Sequence, residues 1–282
     1  MRSVLRRLTA AVLVCTLLLG GSFATSAAQQ TGYDHETPPM TAYGFVTADD
    51  GVQIEYGTYG DPDAPALLLL PCNGCDMHEY DRDLIPELVK THYIITVSPR
   101  GTGNTAHGPV KLTFERDSAD LICLLDTLGI EKTSVYGYSD GGNLALVFAV
   151  QHIDRVERIA IQSANINTSG TKFWYQIKND LRYLWLTIRY RISPSEELLV
   201  QKDILGKMVG QPRLHFRDLR KITVPVLHLF GQYDMFYRLH FRLISAYLPD
   251  VRDVMIMDGG HVANWEHLDT VILPALLEFF AV

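Results

Sequence analysis

The chain has 282 residues, of which 47% are hydrophobic and 20% are charged, and its formal net charge is −7. This length can bury a large core in one α/β domain or in two small domains, and the composition excludes a mainly disordered or collagen-like chain. The acidic balance argues against nucleic acid as a partner, because such binding needs a basic surface.

The N-terminus carries the features of a secretion signal. Three arginines precede the apolar run Leu8–Gly20, and Ser26-Ala27-Ala28 supplies small residues at the position expected for cleavage. The apolar run is shorter than the roughly 20 residues of a spanning helix. We therefore predict a signal peptide over 1–28 and an exported protein, whether secreted, periplasmic or on the cell surface. The alternative is a membrane anchor retained over residues 8–28.

Strand-like and helix-like segments alternate from Tyr43 onward. This alternation predicts a mostly parallel, doubly wound α/β sheet with an antiparallel hairpin at its N-terminal edge. The predicted strands are Tyr43–Thr47, Val52–Tyr59, Ala66–Leu70, Tyr93–Val97, Ser134–Tyr138, Arg158–Gln162, Val224–Phe230 and Asp253–Met257. Three helices are predicted near 114–128, 143–151 and 271–280, the first capped by Thr113 and ended by Gly129.

A long segment at about 165–222 interrupts this pattern. A crossover between parallel strands needs little more than a dozen residues, so the segment reads as an insertion within a single domain over 29–282. It is rich in aromatic residues and holds eleven Lys and Arg against five Asp and Glu. We expect a helical lid over the edge of the sheet where ligands bind; the alternative is a solvated helical decoration of the domain.

The segment Gly137-Tyr138-Ser139-Asp140-Gly141-Gly142 follows a predicted strand and opens a helix. Glycines on both sides of the serine permit a sharp turn that exposes its hydroxyl, as in a nucleophile elbow. A glycine-rich phosphate-binding turn is the alternative interpretation. The pattern favours Ser139 as a nucleophile.

A serine nucleophile needs a base, and the base needs an acid that orients it. Asp234 directly follows a buried strand, and His261 lies in a glycine-flanked loop after the next strand. The order Ser, Asp, His along the chain predicts that Ser139, Asp234 and His261 are the catalytic residues. His267 is a rival for the base and Asp258 for the acid.

With these motifs, residues from about Tyr43 to Val282 resemble the α/β-hydrolase superfamily, in particular bacterial members with a Gly-aromatic-Ser-Asp-Gly-Gly elbow. The resemblance implies an oxyanion loop at Pro71-Cys72-Asn73-Gly74, where the family commonly has His-Gly-Asn-Gly. It implies that the backbone N–H groups of Asn73 and Asp140 form the oxyanion hole. The family's turn around Arg100 is structural, so Arg100 is expected to be a buried cation of the scaffold.

Cys72 and Cys75 lie beside the implied oxyanion loop, and the predicted mature chain also keeps Cys123. After export, Cys72 and Cys75 could oxidise to a disulfide that acts as a conditional clamp on the loop. One alternative is that the two cysteines only pack in the fold. A redox motif is a second alternative, but such a motif opens a helix in a different topology. A zinc site is a third, but it lacks a second ligand pair.

The sequence thus predicts a serine hydrolase that acts on a small carboxylic ester. Amide, lactone or carbon–carbon bond cleavage by the same residues is an alternative, as is a weakly active or silent fold that binds a ligand. Candidate substrate contacts are Asp140, Tyr138 and Trp174, of which Asp140 could pair with a cationic substrate group. We expect no metal or organic cofactor, a small ester or amide as the partner, and membrane contact only through an uncleaved N-terminal segment.

Overall fold

A computed structural model describes residues 36–262 and 267–281, so the predicted signal peptide lies outside the described residues. Within this part of the chain, one sheet holds eight strands, and helices pack around it. The strands are β1 (Ala42–Thr47), β2 (Gln53–Tyr59), β3 (Ala66–Leu70), β4 (Tyr93–Val97), β5 (Thr133–Tyr138), β6 (Val156–Gln162), β7 (Val226–Gly231) and β8 (Val251–Ile256). The helices are α1 (Ile85–Leu88), α2 (Phe114–Thr127), α3 (Asp140–Gln151), α4 (Phe173–Ile192), α5 (Glu196–Gly210), α6 (Arg238–Tyr247) and α7 (Leu273–Phe280).

The strands lie in the order β1-β2-β4-β3-β5-β6-β7-β8. The β1–β2 and β2–β4 pairs are antiparallel, and every other pair is parallel. The central strands are buried on both faces, between two apolar clusters that cover opposite sides of the sheet. These observations confirm the predicted fold class, including the N-terminal hairpin.

Local capping places the ends of α2 as predicted. The Thr113 hydroxyl accepts a hydrogen bond from the Arg116 N–H at 3.0 Å, which satisfies one of the unpaired donors at the helix start. Gly129 follows the helix with φ of 71°, a conformation that side-chain-bearing residues rarely adopt. The structure therefore begins and ends α2 at the capping residues that the sequence predicted.

Most element bounds lie within two residues of the predictions, but several differ; β6 starts at Val156 rather than Arg158, and β8 spans Val251–Ile256 rather than Asp253–Met257. β7 starts at Val226 rather than Val224, because Pro225 has no N–H to donate to a ladder. α3 starts at Asp140, directly after Ser139, instead of at Asn143. The final helix starts at Leu273, after a wide helical turn over Leu268–Ile272. The four-residue helix α1 is too short to produce a periodic signal.

Two helices, α4 and α5, occupy the long connection between β6 and β7. They pack against each other through a small apolar cluster centred on Leu186, Leu198 and Leu205. α5 also pairs with the rest of the domain, since Lys207 contacts Asp117 and the Asp203 carboxylate lies 3.0 Å from His107 Nε2. Within the described ranges, no helix has both the length and the apolar character needed to cross a bilayer.

Arg100 is the buried cation that the resemblance implied. Its guanidinium has no exposed surface and pairs with Asp50 and Asp120, each at 2.7 Å. Hydrogen bonds from Arg100 lower the pKa of Asp50 to about 2 against the opposing effect of burial. Arg100 thus joins the β1–β2 turn to helix α2.

Candidate active site

Ser139 occupies a sharp turn between β5 and α3. Its φ of 55° and ψ of −117° lie outside the ordinary regions for a residue with a side chain. The turn needs glycine at Gly137, where a Cβ would lie 2.2 Å from the Gly141 carbonyl oxygen, and at Gly141, where a Cβ would lie 2.0 Å from the Leu70 carbonyl oxygen. The strained turn presents Ser139 at the N-terminus of α3, close to the loop that follows β3.

Three side chains form a continuous hydrogen-bonded chain. Ser139 Oγ lies 3.0 Å from His261 Nε2, and His261 Nδ1 lies 2.9 Å from Asp234 Oδ1. A carboxylate only accepts hydrogen bonds, so Nδ1 carries the proton and Nε2 is left to accept from the serine hydroxyl. The structure therefore brings together the three residues that the sequence selected as nucleophile, acid and base.

The Asp234 carboxylate is 1% exposed and is held by three donors. Oδ1 accepts from His261 and from the Phe236 N–H, whereas Oδ2 accepts from the Ser163 hydroxyl at 2.6 Å. Burial raises the pKa of Asp234, but these hydrogen bonds and the His261 charge outweigh it and hold the pKa below its usual value. Ser163 was not predicted from the sequence, although it directly follows β6 at the same edge of the sheet as Ser139.

His261 is held in place by aromatic neighbours. The Tyr138 hydroxyl donates to the His261 carbonyl oxygen at 2.6 Å, and the Phe236 ring packs edge-on to the imidazole at 5.4 Å. Neither rival residue takes part in this arrangement. Asp258 is an exposed turn residue with φ of 58°, and the backbone carbonyl of His267 accepts hydrogen bonds at the turn before the last helix.

The loop after β3 lies against the elbow. The Cys72 N–H donates to Glu79 Oε2 at 2.6 Å, and the Asn73 side-chain amide donates to Asp140 Oδ2 and to the Ile204 carbonyl oxygen. The backbone N–H groups of Asn73 and Asp140 donate to none of the described residues. Burial raises the pKa of Glu79 to about 8, assisted by the Asp83 charge and opposed by the Cys72 N–H.

The Asp140 side chain faces the protein interior. Its carboxylate accepts from the amides of Asn73 and Asn143, and only 9% of the residue is exposed. Burial raises the pKa of Asp140, although the Lys207 charge opposes the shift. The predicted pairing of Asp140 with a substrate cation would therefore have to compete with these protein donors.

A small enclosed cavity adjoins Ser139, and its wall is rich in neutral polar groups. Helices α4 and α5 contribute one residue each, Asn179 and Met208. The remaining wall residues are Asp140, Asn143, Asn165, Thr171, Gln211, Met235 and Phe236. Of the predicted substrate contacts, Tyr138 is buried beside His261 and Trp174 is 77% exposed on α4, so neither lines this cavity.

Cys72 and Cys75 are joined by a disulfide at the start of the loop. Together with Glu79 they bring three potential ligand atoms within 4.8 Å of one another. Zinc binds cysteine as the thiolate, so this group could accept a metal ion only in its reduced form.

Comparison with known proteins identifies the fold family. A family model described as alpha/beta hydrolase fold matches residues 65–211. The chain belongs to the α/β-hydrolase fold family. This matched region contains both the loop at Asn73 and the elbow at Ser139.

Individual relatives align with most of this chain. A Bacillus subtilis (strain 168) protein provisionally named 2-succinyl-6-hydroxy-2,4-cyclohexadiene-1-carboxylate synthase is 24% identical in an alignment of 257 residues that covers 78% of this chain and 92% of that protein. A Pseudomonas aeruginosa hydrolase structure has a TM-score of 0.71 at 22% identity and covers 86% of this chain and 99% of its own. The enol-lactonase structure of Burkholderia xenovorans LB400 has a TM-score of 0.68 at 20% identity and covers 84% of this chain and 100% of its own.

Proposed function

We propose that this α/β hydrolase cleaves small carboxylic esters through a covalent acyl-enzyme on Ser139. The observation that carries the proposal is the hydrogen-bonded chain Ser139–His261–Asp234, which ends at a serine in a strained turn. A base within hydrogen-bond reach of the nucleophile, itself oriented by a third group, is the arrangement that activates a serine hydroxyl.

In the first half of the reaction, Ser139 Oγ attacks the acyl carbonyl carbon while His261 Nε2 takes the hydroxyl proton. Asp234 stabilises the resulting imidazolium. As the carbonyl oxygen becomes negative, it accepts hydrogen bonds donated by the N–H groups of Asn73 and Asp140, each worth roughly 3–4 kcal/mol of the barrier. The N-terminal end of α3 adds a favourable dipole. His261 then protonates the departing alkoxide, and the alcohol leaves.

In the second half, water replaces the alcohol. His261 removes a proton from the water, the hydroxide attacks the acyl carbon, and a second oxyanion forms in the same hole. Collapse of this intermediate releases the acid and returns the proton to Ser139. The reaction consumes one water for each ester, and His261 ends each cycle neutral.

Two features support a small, uncharged ester as the substrate. The cavity beside Ser139 is small and is lined mainly by neutral amide and hydroxyl groups, which suits an uncharged substrate. The enol-lactonase among the structural relatives acts, by its name, on a lactone, which is a cyclic ester. A lactone, an amide or a carbon–carbon bond next to a carbonyl could be cleaved by the same residues.

Steady-state hydrolysis of p-nitrophenyl acetate, butyrate and octanoate, beside the matched p-nitroanilides, tests this proposal. We expect ester turnover that S139A and H261A each lower by about 10³-fold or more. S169A is the matched control, because Ser169 is exposed and, among the described residues, its hydroxyl bonds to Asn167. Ester turnover that persists in S139A would refute the proposal, and faster turnover of anilides would redirect it to amides.

We further propose that the protein is exported and that α4 and α5 form a lid beside Ser139. The N-terminal sequence pattern supports export, and the Cys72–Cys75 disulfide is compatible with an oxidising compartment. The contribution of Asn179 and Met208 to the cavity wall supports the lid. N-terminal sequencing of protein recovered outside the cytoplasm tests export, with cleavage after residue 28 as the expected result.

A further inference from the structure

Helix α4 carries an exposed apolar stripe that its own fold leaves uncovered. The exposed fractions are 77% for Trp174, 55% for Leu181, 53% for Leu184 and 79% for Ile192. At 3.6 residues per turn, these four side chains and those of Phe173 and Ile188 fall within an arc of about 100°. Single exposed apolar residues are ordinary, but a contiguous stripe of this size marks an interaction surface. We call this set of six residues the apolar stripe.

The opposite face of α4 already accounts for the packing of the helix. Leu186 is 1% exposed and, with Tyr183 and Tyr190, packs against Leu198 and Leu205 of α5. The helix therefore does not need the apolar stripe for its place in the domain. A helix with one packed face and one exposed apolar face is equipped to contact something outside the domain.

Basic residues border the apolar stripe. Lys178 and Arg189 are exposed on one side of it, and the other side holds the exposed Arg191 and the exposed Asp180. Over Phe173–Ile192 there are four Lys and Arg residues and one acid, whereas the whole chain carries −7. An amphipathic helix with Trp and Leu on one face and basic residues beside them lies at membrane interfaces, where the cations meet anionic headgroups.

We propose that α4 docks on the surface of an anionic phospholipid bilayer, with the apolar stripe inserted among the acyl chains and the bordering cations at the headgroups. The acidic remainder of the chain is repelled by such a surface, so the domain would bind with α4 facing the lipid. The sequence analysis expected membrane contact only through an uncleaved N-terminal segment. The site proposed on α4 is a different part of the chain. The proposal does not depend on chemistry at Ser139.

The charges beside the apolar stripe favour a lipid surface over a second copy of this chain as the binding partner. A two-fold antiparallel pair of α4 helices would place the Lys178–Arg189 side of one copy against the same side of the other. Like charges that face each other disfavour that packing. An anionic bilayer instead complements the Lys178–Arg189 side of the apolar stripe and the net positive charge of the helix.

Co-sedimentation of the full chain with vesicles tests the proposal. We expect binding to vesicles of equal phosphatidylglycerol and phosphatidylcholine, weaker binding to pure phosphatidylcholine, and a decline with added salt. L184D/I188D should lower the partition coefficient on the order of 100-fold. L277D is the control for a charge added at an exposed apolar residue outside the apolar stripe, because Leu277 is 36% exposed on α7. An unchanged melting temperature checks that both variants fold.

A local readout separates α4 from the N-terminal segment, which is identical in every variant. Brominated lipid should quench the tryptophan fluorescence of the wild-type chain, and W174F should lose most of that quenching. Unaltered binding of L184D/I188D would overturn the proposal, as would equal binding to both lipid compositions. A soluble dimer that ignores vesicles and dissociates in L184D/I188D would assign the apolar stripe to a second copy.

Discussion

Replacing Ser163 with alanine removes one hydrogen bond from the carboxylate that orients His261. The Ser163 hydroxyl is the only donor to Asp234 Oδ2 among the described residues, and the two atoms are 2.6 Å apart. Alanine has no larger side chain than serine, and the residue's φ of 51° is equally unfavourable for both. The substitution therefore isolates the hydroxyl.

The expected magnitude follows from the burial of Asp234, which is 1% exposed. A hydrogen bond to a charged group contributes about 1.5–3 kcal/mol, and an unsatisfied buried acceptor costs a similar amount. S163A should therefore lower the free energy of unfolding at pH 7 by about 1–3 kcal/mol. If the looser carboxylate orients the imidazole less well, kcat for an ester should fall by about tenfold or more.

The pKa of Asp234 determines how the stability loss in S163A varies with pH. The folded-state pKa of Asp234 lies below its ordinary value, so the stabilising effect of the ionised carboxylate is full well above that ordinary value and is lost as the pH falls through the folded pKa. Loss of the Ser163 hydroxyl raises the folded pKa. The stability difference between wild type and S163A should thus be largest near neutral pH and shrink below about pH 4.

Urea unfolding at several pH values, with p-nitrophenyl butyrate kinetics at pH 7, measures both effects. S169A again serves as the serine-to-alanine control. If S163A matched the wild type in stability and in kcat, the Ser163 hydroxyl would not support Asp234 in solution, and the reasoning would be refuted.

Three further outcomes follow from the scaffold around the site. R100M should lower the free energy of unfolding by about 3–5 kcal/mol, because it leaves the carboxylates of Asp50 and Asp120 without their cationic partner in or near the interior. A loss below about 1 kcal/mol, measured by urea unfolding, would argue against a tight ion pair. Because the pKa of Glu79 is raised, the contribution of Glu79 to wild-type stability declines as the pH rises from about 4.5 to about 8, where the half-buried carboxyl must ionise. E79Q should flatten that decline, and a slope equal to that of the wild type in urea titrations would contradict it. Dithiothreitol should release the two thiols of Cys72–Cys75 and change ester turnover, whereas the C72S/C75S variant should not respond; if neither the thiol count nor the activity moves, the clamp hypothesis fails.

The sheet and the three central side chains could be predicted because they depend on short-range patterns. Continuous apolar runs such as Ala66–Leu70 and Tyr93–Val97 mark strands buried on both faces, and their bounds agree with the structure. The carboxyl ends of parallel strands meet at one edge, so polar residues that follow strands, such as Asp234 and His261, come together there.

Other contacts between distant parts of the chain could not be predicted. Ser163 meets a carboxylate 71 positions away, and its positive φ leaves no local signature in a non-glycine residue. The partners of Asp140 come from Asn73 and Asn143, which only the close approach of two loops brings near. The sequence likewise marked Trp174 as a substrate contact, since aromatic composition alone does not distinguish an inward from an outward helix face.

Labelling with a fluorophosphonate probe tests the central claim most directly, because the probe reacts with a serine only when a neighbouring base activates it. Mass spectrometry of the digested protein should place a single phosphonyl adduct on Ser139. Labelling should disappear in S139A and weaken strongly in H261A, while S169A should label like the wild type. Absence of Ser139-dependent labelling in the folded chain would contradict the account.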